Sequence, residues 1–293
     1  TAVYSPEALL NEIYPKFKSN FPDLPIGAGT DAFFAEWNRN YTSGASLDFI
    51  GYSVNPQMHA TDYLSIIENL AAQADTIETA RHKAPGIPLH ISPVTLKQRN
   101  PPGAKITDHP SSLNADQRQG SLFIAAWTNL SIRYLAGADK ITFYETTGPG
   151  GIIPGNKSHS FNPLGPDTPL VYSVYLLLQE IKAFQPALII ESCSTQPLLI
   201  DGLILKNKQG HWLCILCNLN EKEKKAHLAL EGLKTSNLYA KKLSTENQSD
   251  YLMEPERFRL LHFQILHLNE DNSFFVPAFS ILFITHTTYY GIA

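Results

Sequence analysis

Strand-like and helix-like segments alternate through the first 186 residues of this chain, and after Pro186 the alternation stops. Four short apolar stretches read as strands: residues 25–30, 47–54, 88–94 and 140–144. Helical spacing fills the intervals. Pro6–Phe17 carries Leu9, Leu10, Ile13 and Phe17 on one side. Asp62–His82 repeats Tyr63, Ile67, Leu70, Ala74 and Ile77, and Pro85 with Gly86 stops it. Asp116–Leu135 sets Phe123, Ala126, Trp127, Leu130 and Tyr134 on one face and ends at Gly137. Leu170–Phe184 reads as a long helix opened by Pro169. Strands joined by helical crossovers are parallel, so this part predicts β/α units. Beyond the Gln185–Pro186 cut, residues 187–205, 211–219, 225–230, 236–243, 258–268 and 274–286 read as short strands without helical periodicity, an antiparallel β-sandwich. The expected division is therefore 1–186, a partial (β/α) barrel, and 187–293, a C-terminal β domain.

Composition excludes several function classes. With 293 residues the chain can bury about three quarters of its unfolded surface. Charged residues make up only 17%, unlike a disordered tail. A net charge of -4 supplies no basic stripe for nucleic acid or for an anionic membrane surface. No apolar run approaches the ~20 residues needed to span a bilayer. The three cysteines, Cys193, Cys214 and Cys217, do not make a disulfide framework. Cys214 and Cys217 form a C-x-x-C inside an apolar strand, where positions three apart face opposite ways, so buried structural thiols are expected rather than a metal site. Reduced thiols fit a cytoplasmic location. Sequons at Asn40, Asn129, Asn156 and Asn247 carry little weight, since Asn129 falls in an expected helix.

Parallel β/α architectures place their chemistry at the C-terminal ends of the strands. The polar residues there are Asp31, Glu36, Asn38 and Arg39 after the first strand, and Tyr52, Ser53, Asn55, Gln57 and His59 after the second. Ser92 and Thr95 follow in the third, and Tyr144, Glu145, Thr146 and Thr147 in the fourth. Glu145 stands out. It shares strand parity with Ile141 and Phe143, and a carboxylate ending a buried strand is costly to desolvate and suited to proton transfer. His59 can shuttle a proton, donate to a substrate or ligate a metal, or be an ordinary satisfied polar group. Asp31 with Glu36 resembles a carboxylate pair, and Arg39 can clamp a carboxylate or pin Glu36. His90, in mid-strand, reads as a buried core histidine. Dinucleotide, P-loop and nucleophile-elbow motifs are absent from the sequence. Neither a cofactor nor a metal is expected.

Four blocks carry a family resemblance: residues 26–39 (IGAGTDAFFAEWNR), 52–60 (YSVNPQMHA), 89–96 (LHISPVTL) and 142–148 (TFYETTG). Together they resemble the D-apionate lactonase family, whose layout is similar to that of clan-A glycoside hydrolases, a (β/α)8 TIM-type barrel joined to β domains. The resemblance implies hydrolysis of D-apionolactone to D-apionate, a step in apiose catabolism, with a small sugar lactone as partner. It also implies a longer protein, of which these four strands would be barrel strands five to eight. The start at Thr1 fits that expectation. The positions that match the blocks are Asp31, Glu36, Asn38, Arg39, Asn55, Gln57, His59, Thr95 and Glu145. One departure matters: the third strand ends His-Ile-Ser-Pro-Val-Thr, without the acid that clan-A glycosidases carry there. That favours lactone over glycoside chemistry. Glu145, His59 and Asp31 are the expected catalytic residues, with Glu36, Asn38, Arg39, Asn55, Gln57, Thr95 and Tyr144 around the substrate. A clan-A-type glycoside hydrolase and a non-catalytic carbohydrate-binding remnant are the alternatives.

Overall fold

The computed structural model describes residues 4–44, 46–98, 115–155, 171–233 and 237–287. They form two compact units, one of residues 1–116 with 134–145, the other of 117–133 with 146–293. The expected Pro169 and Leu170 helix start, the Asn156 sequon and most of the loop after Lys97 lie outside the described residues.

The first unit is built on a parallel sheet of β1 (Gly27–Thr30), β2 (Phe49–Val54), β3 (Leu89–Val94) and β4 (Lys140–Phe143), in that order. Thr30 lies opposite Tyr52, and Val54, Val94 and Phe143 share one level. Helices α1 (Glu7–Asn20), α2 (Phe34–Asn40) and α3 (Tyr63–Lys83) belong to this unit. The helix-facing side of β2 is its apolar side: Ile50 and Tyr52 are fully buried. The Tyr52 ring meets Phe34 and Trp37 of α2 at centroid distances of 5.0 and 5.7 Å. Its hydroxyl donates to Thr76 Oγ1 of α3 at 3.0 Å. Tyr52 therefore serves the sheet–helix layer, not the strand end.

Asp62 caps α3 by accepting from the Ser65 N–H at 2.9 Å. The buried stripe of α3 is Ile66, Leu70, Gln73, Ile77 and Ala80, flanked by Ile67. Alternating steps of four and three residues track the 3.6-residue turn; the expected Ala74 falls beside that line and Tyr63, though on it, is the first residue of the helix, and both are exposed. Two further expectations change. The apolar side of α1 is not buried, and Leu9 and Phe17 stand open to solvent. His90 is only half-buried, its ring stacked on Phe49 at 4.2 Å.

The second unit is helical and antiparallel. Its helices are α4 (Leu122–Tyr134), α5 (Ser173–Phe184), α6 (Gln248–Met253) and α7 (Pro255–Leu260). The expected start of α4 at Asp116 is instead a turn over 117–120. α4 buries every residue from Leu122 to Ser131, so it has no solvent face of the kind a one-sided stripe implies. β5 (Glu145–Thr147) pairs with β6 (Gly151–Ile153). β7 (Pro186–Ile190), β8 (Ile200–Asn207), β9 (Trp212–Asn218), β11 (Tyr239–Leu243), β12 (Gln264–Ile265) and β14 (Ser280–Thr285) form a six-stranded sheet in the order β12-β11-β14-β9-β8-β7. β10 (Lys224–His227) pairs with β13 (Ser273–Val276).

Trp212, Cys214 and Leu216 of β9 pack with Leu282 and Ile284 of β14 against Ala226, Phe274 and Val276 of the small sheet. The alternate residue Cys217 faces the other way, where Asn129 Nδ2 of α4 donates to its Sγ at 3.3 Å and to the Ile215 carbonyl at 2.9 Å. β9 is thus covered on both faces, which explains its unbroken apolar run. Two expectations are corrected here. Residues 187–205 are two strands separated by an irregular 191–199, and residues 258–268 hold the end of α7 and the two-residue β12. Helices of six residues are too short for a periodic signal to register.

Candidate functional site

Strand pairing continues one residue past β3 and β4. The Thr95 N–H donates to the Val54 carbonyl at 3.0 Å and the Tyr144 N–H to the Val94 carbonyl at 3.1 Å. These bonds hold Asn55, Thr95 and Tyr144 on one rim at the C-terminal end of the sheet. Adjacent strands stand about 4.8 Å apart, so three of them span roughly 10 Å, the width of a small ligand.

Asn55 enters the rim directly from β2. Its Oδ1 is buried and has no hydrogen-bond partner among the described residues. Gln57 is anchored two ways: Nε2 donates to the Leu96 carbonyl at 2.8 Å and to Asp116 Oδ2 at 2.7 Å. Asp116 is 95% buried, from a relative exposure of 5%. No local sequence pattern points to it. It lies 59 residues from Gln57 along the chain, and only the fold brings the two together.

The other sequence candidates divide. Tyr144 is buried and has φ 52°, a left-handed backbone unusual for a bulky residue, which breaks the strand between β4 and β5. The parity argument for Glu145 therefore fails, because alternation does not carry across such a residue. β4 is also partly exposed rather than buried. Glu145 itself is half-buried, at the start of β5 next to the rim. The Thr95 hydroxyl donates to the Lys97 carbonyl at 2.7 Å, so it turns into its own loop. Asp31 keeps its backbone at the rim, where its carbonyl accepts from Ser53 Oγ at 2.7 Å, but the residue is exposed. His59 is also exposed.

Three expected binding residues, Glu36, Asn38 and Arg39, sit on α2. Arg39 Nη1 pairs with Glu36 Oε1 at 2.6 Å, so of the two roles open to Arg39 it performs the pin. Asn38 Oδ1 accepts from Lys83 Nζ at 2.9 Å. Lys83 is the last residue of α3, and a helix that leaves the C-terminal end of β2 finishes near the N-terminal end of the sheet. Asn38 thus lies toward the end opposite the rim.

Electrostatics elsewhere follow burial. Desolvation, then Lys140, pushes the His90 pKa down. Desolvation raises the Tyr52 hydroxyl and pushes the Cys214 thiol up to about 12. Among the described residues, no group of three or more His, Cys, Asp or Glu is placed to hold a metal ion, and no helix is long and apolar enough to cross a membrane.

Residues 2–185 match the family described as D-apionate lactonase, TIM barrel domain. A curated D-apionate lactonase of Brucella anthropi is 30% identical over 154 residues, which covers 50% of this chain and 25% of that protein. The chain thus spans about a quarter of the length of the curated relative it matches. Among solved structures, a GH51 arabinofuranosidase from Xanthomonas axonopodis pv. citri superposes with a TM-score of 0.57 at 12% identity, covering 96% of this chain and 63% of that one. An alpha-L-arabinofuranosidase from Thermotoga maritima gives 0.59 at 14% identity, covering 94% and 60%. At such identities the likeness shows the fold, a TIM-barrel domain followed by β structure, and nothing finer.

Proposed function

Because the chain belongs to the D-apionate lactonase family, we propose that it takes part in the hydrolytic opening of a sugar-acid lactone, D-apionolactone to D-apionate, in branched-pentose catabolism. Its four parallel strands are half the number in a closed barrel. We read them as barrel strands five to eight, with the accessory β domain running from residue 187. The protein works in this reading as a carboxylic-ester hydrolase on a small sugar lactone, in the cytoplasm.

The observation that carries the reading is the buried Oδ1 of Asn55 on the rim, which has no hydrogen-bond partner among the described residues. A buried acceptor without a donor is unfavourable. A hydroxyl group of a sugar lactone supplies the missing donor. Around it, Glu145 is the group that exchanges the proton hydrolysis requires. The Tyr144 hydroxyl donates to the lactone carbonyl as negative charge develops there. Gln57 and Thr95 shape the floor, and Asp31 and His59 stand at the open mouth.

The test is acid release from D-apionolactone by the full-length protein, compared with Glu145→Gln. Loss of turnover with the fold intact supports the role, and unchanged turnover removes Glu145 from it. The likeness to arabinofuranosidases sustains a glycoside-hydrolase reading as the alternative. Cleavage of an aryl arabinofuranoside without lactone turnover would decide for it.

A further inference from the structure

We infer that Asp116 is the second proton-transfer carboxylate of the rim, held in place by Gln57; the inference rests on the lactone-hydrolase reading. Three carboxylates are at least 95% buried among the described residues: Asp116, Glu180 and Asp201. Glu180 pairs with Lys241 and Asp201 with Arg133, both in the β-rich unit, whereas Asp116 belongs to the unit of the parallel sheet. Asp116 Oδ2 accepts a hydrogen bond from the Gln57 amide, and the same amide nitrogen also donates to the Leu96 carbonyl, two residues beyond the end of β3. Gln57 itself lies three residues beyond the end of β2. The carboxylate is therefore fixed over the C-terminal ends of the two central strands, on the rim that holds Asn55, where parallel β/α folds carry out their chemistry.

A hydrogen bond donated to a carboxylate favours its charged form, and the Gln57 amide fixes the position of Asp116 Oδ2. The step balances as follows. Ionised Asp116 takes one proton from a water molecule. The water oxygen forms a bond to the lactone carbonyl carbon. The bond from that carbon to the ring oxygen then breaks, and the ring oxygen receives a proton from protonated Glu145. Lactone and water become the open hydroxy acid, and the two carboxyl groups exchange their protons with solvent before the next turnover. Gln57 is a positioning residue here, because it acts through Asp116.

The test uses the full-length protein with D-apionolactone across a pH series. Asp116→Asn should lower kcat by about a hundredfold or more while KM stays within a few fold, as expected on removing a general base. Asp116→Glu should restore part of the loss. Gln57→Leu removes the donor to the charged form, so the acid limb of kcat/KM should move to higher pH. A merely structural Gln57 would leave that limb in place. Turnover that survives Asp116→Asn within threefold, or an acid limb unmoved by Gln57→Leu, overturns the inference alone. Absence of lactone turnover by the wild-type protein overturns the reading beneath it, and the inference with it. Should Asp116→Asn fail to fold, the Gln57→Leu profile decides.

Discussion

Cys214 and Cys217 stand three residues apart on β9 and face opposite sides of the sheet, one into the inter-sheet core and the other against Asn129. Burial raises both thiol pKa values, so neither offers a thiolate near neutral pH. Cys193 is exposed. A thiol reagent should therefore titrate one cysteine in the native protein and all three only after denaturation; two fast native thiols would contradict the packing. The Asn55 side chain makes an opposite kind of prediction. An unsatisfied buried acceptor costs about 1–3 kcal/mol, so Asn55→Leu should hold or raise the melting temperature while raising KM for the lactone several-fold. Stability lost together with activity would mean that Asn55 serves the fold. The two carboxylates show what was legible at this scale. Glu145 was found because it follows an apolar run, although the parity behind that reading fails at Tyr144, whose φ of 52° resets the alternation. Asp116 was read as the first residue of a helix. Its significance arises from a contact across 59 residues, which no local pattern announces.

Among the elements, α1 is secured mainly by polar contacts, since it buries none of its residues. The Asp48 carboxylate, just before β2, accepts from the Tyr14 hydroxyl at 3.0 Å and from the Ile26 N–H at 2.7 Å, and it pairs with Lys18 at 2.7 Å. The Lys18 bond, followed by the Ile26 N–H, lowers the Asp48 pKa below its usual 3.8. A carboxylate whose folded-state pKa is depressed contributes stability above its unfolded value and loses it as pH falls through the folded one. Amide protection in α1 should thus hold at pH 5 and fall below about pH 4. In Asp48→Asn it should already be reduced at pH 5, and an unchanged pH profile in that variant would contradict the account. In the β-rich unit, Lys241 Nζ pairs with Glu180 Oε1 at 2.6 Å with both side chains almost fully buried. Burial pulls the Lys241 pKa down, and Glu180 opposes it. Glu180→Gln strands a buried cation and should destabilise the protein by about 3–5 kcal/mol. Denaturant unfolding of that variant measures this directly, and a change below about 0.5 kcal/mol, typical of a surface substitution, would rule it out. Element type was readable wherever a segment was long enough for its period to repeat. The 21-residue α3 was found within one residue at each end, whereas α6 and α7, six residues each, were missed.

For the whole molecule, the alternation of strands and helices before Pro186 and the antiparallel pattern after it were both visible in the sequence, because each rests on local spacing. What spacing could not convey is how the units group. α4 and α5 precede the change in pattern, yet they pack within the β-rich unit, through Asn129 against Cys217 and Glu180 against Lys241. The same limit applies to the rim. Candidates that directly follow a strand, Asn55 and Tyr144, stay at its level, whereas Asn38 is carried away by α2 to Lys83. In the proposed function, a protein containing this rim opens a sugar-acid lactone by hydrolysis. Alkali uptake in a pH-stat with the full-length protein and D-apionolactone tests this. One equivalent of acid released per lactone is expected, abolished in Glu145→Gln. Absence of acid release by the folded wild-type protein would contradict it.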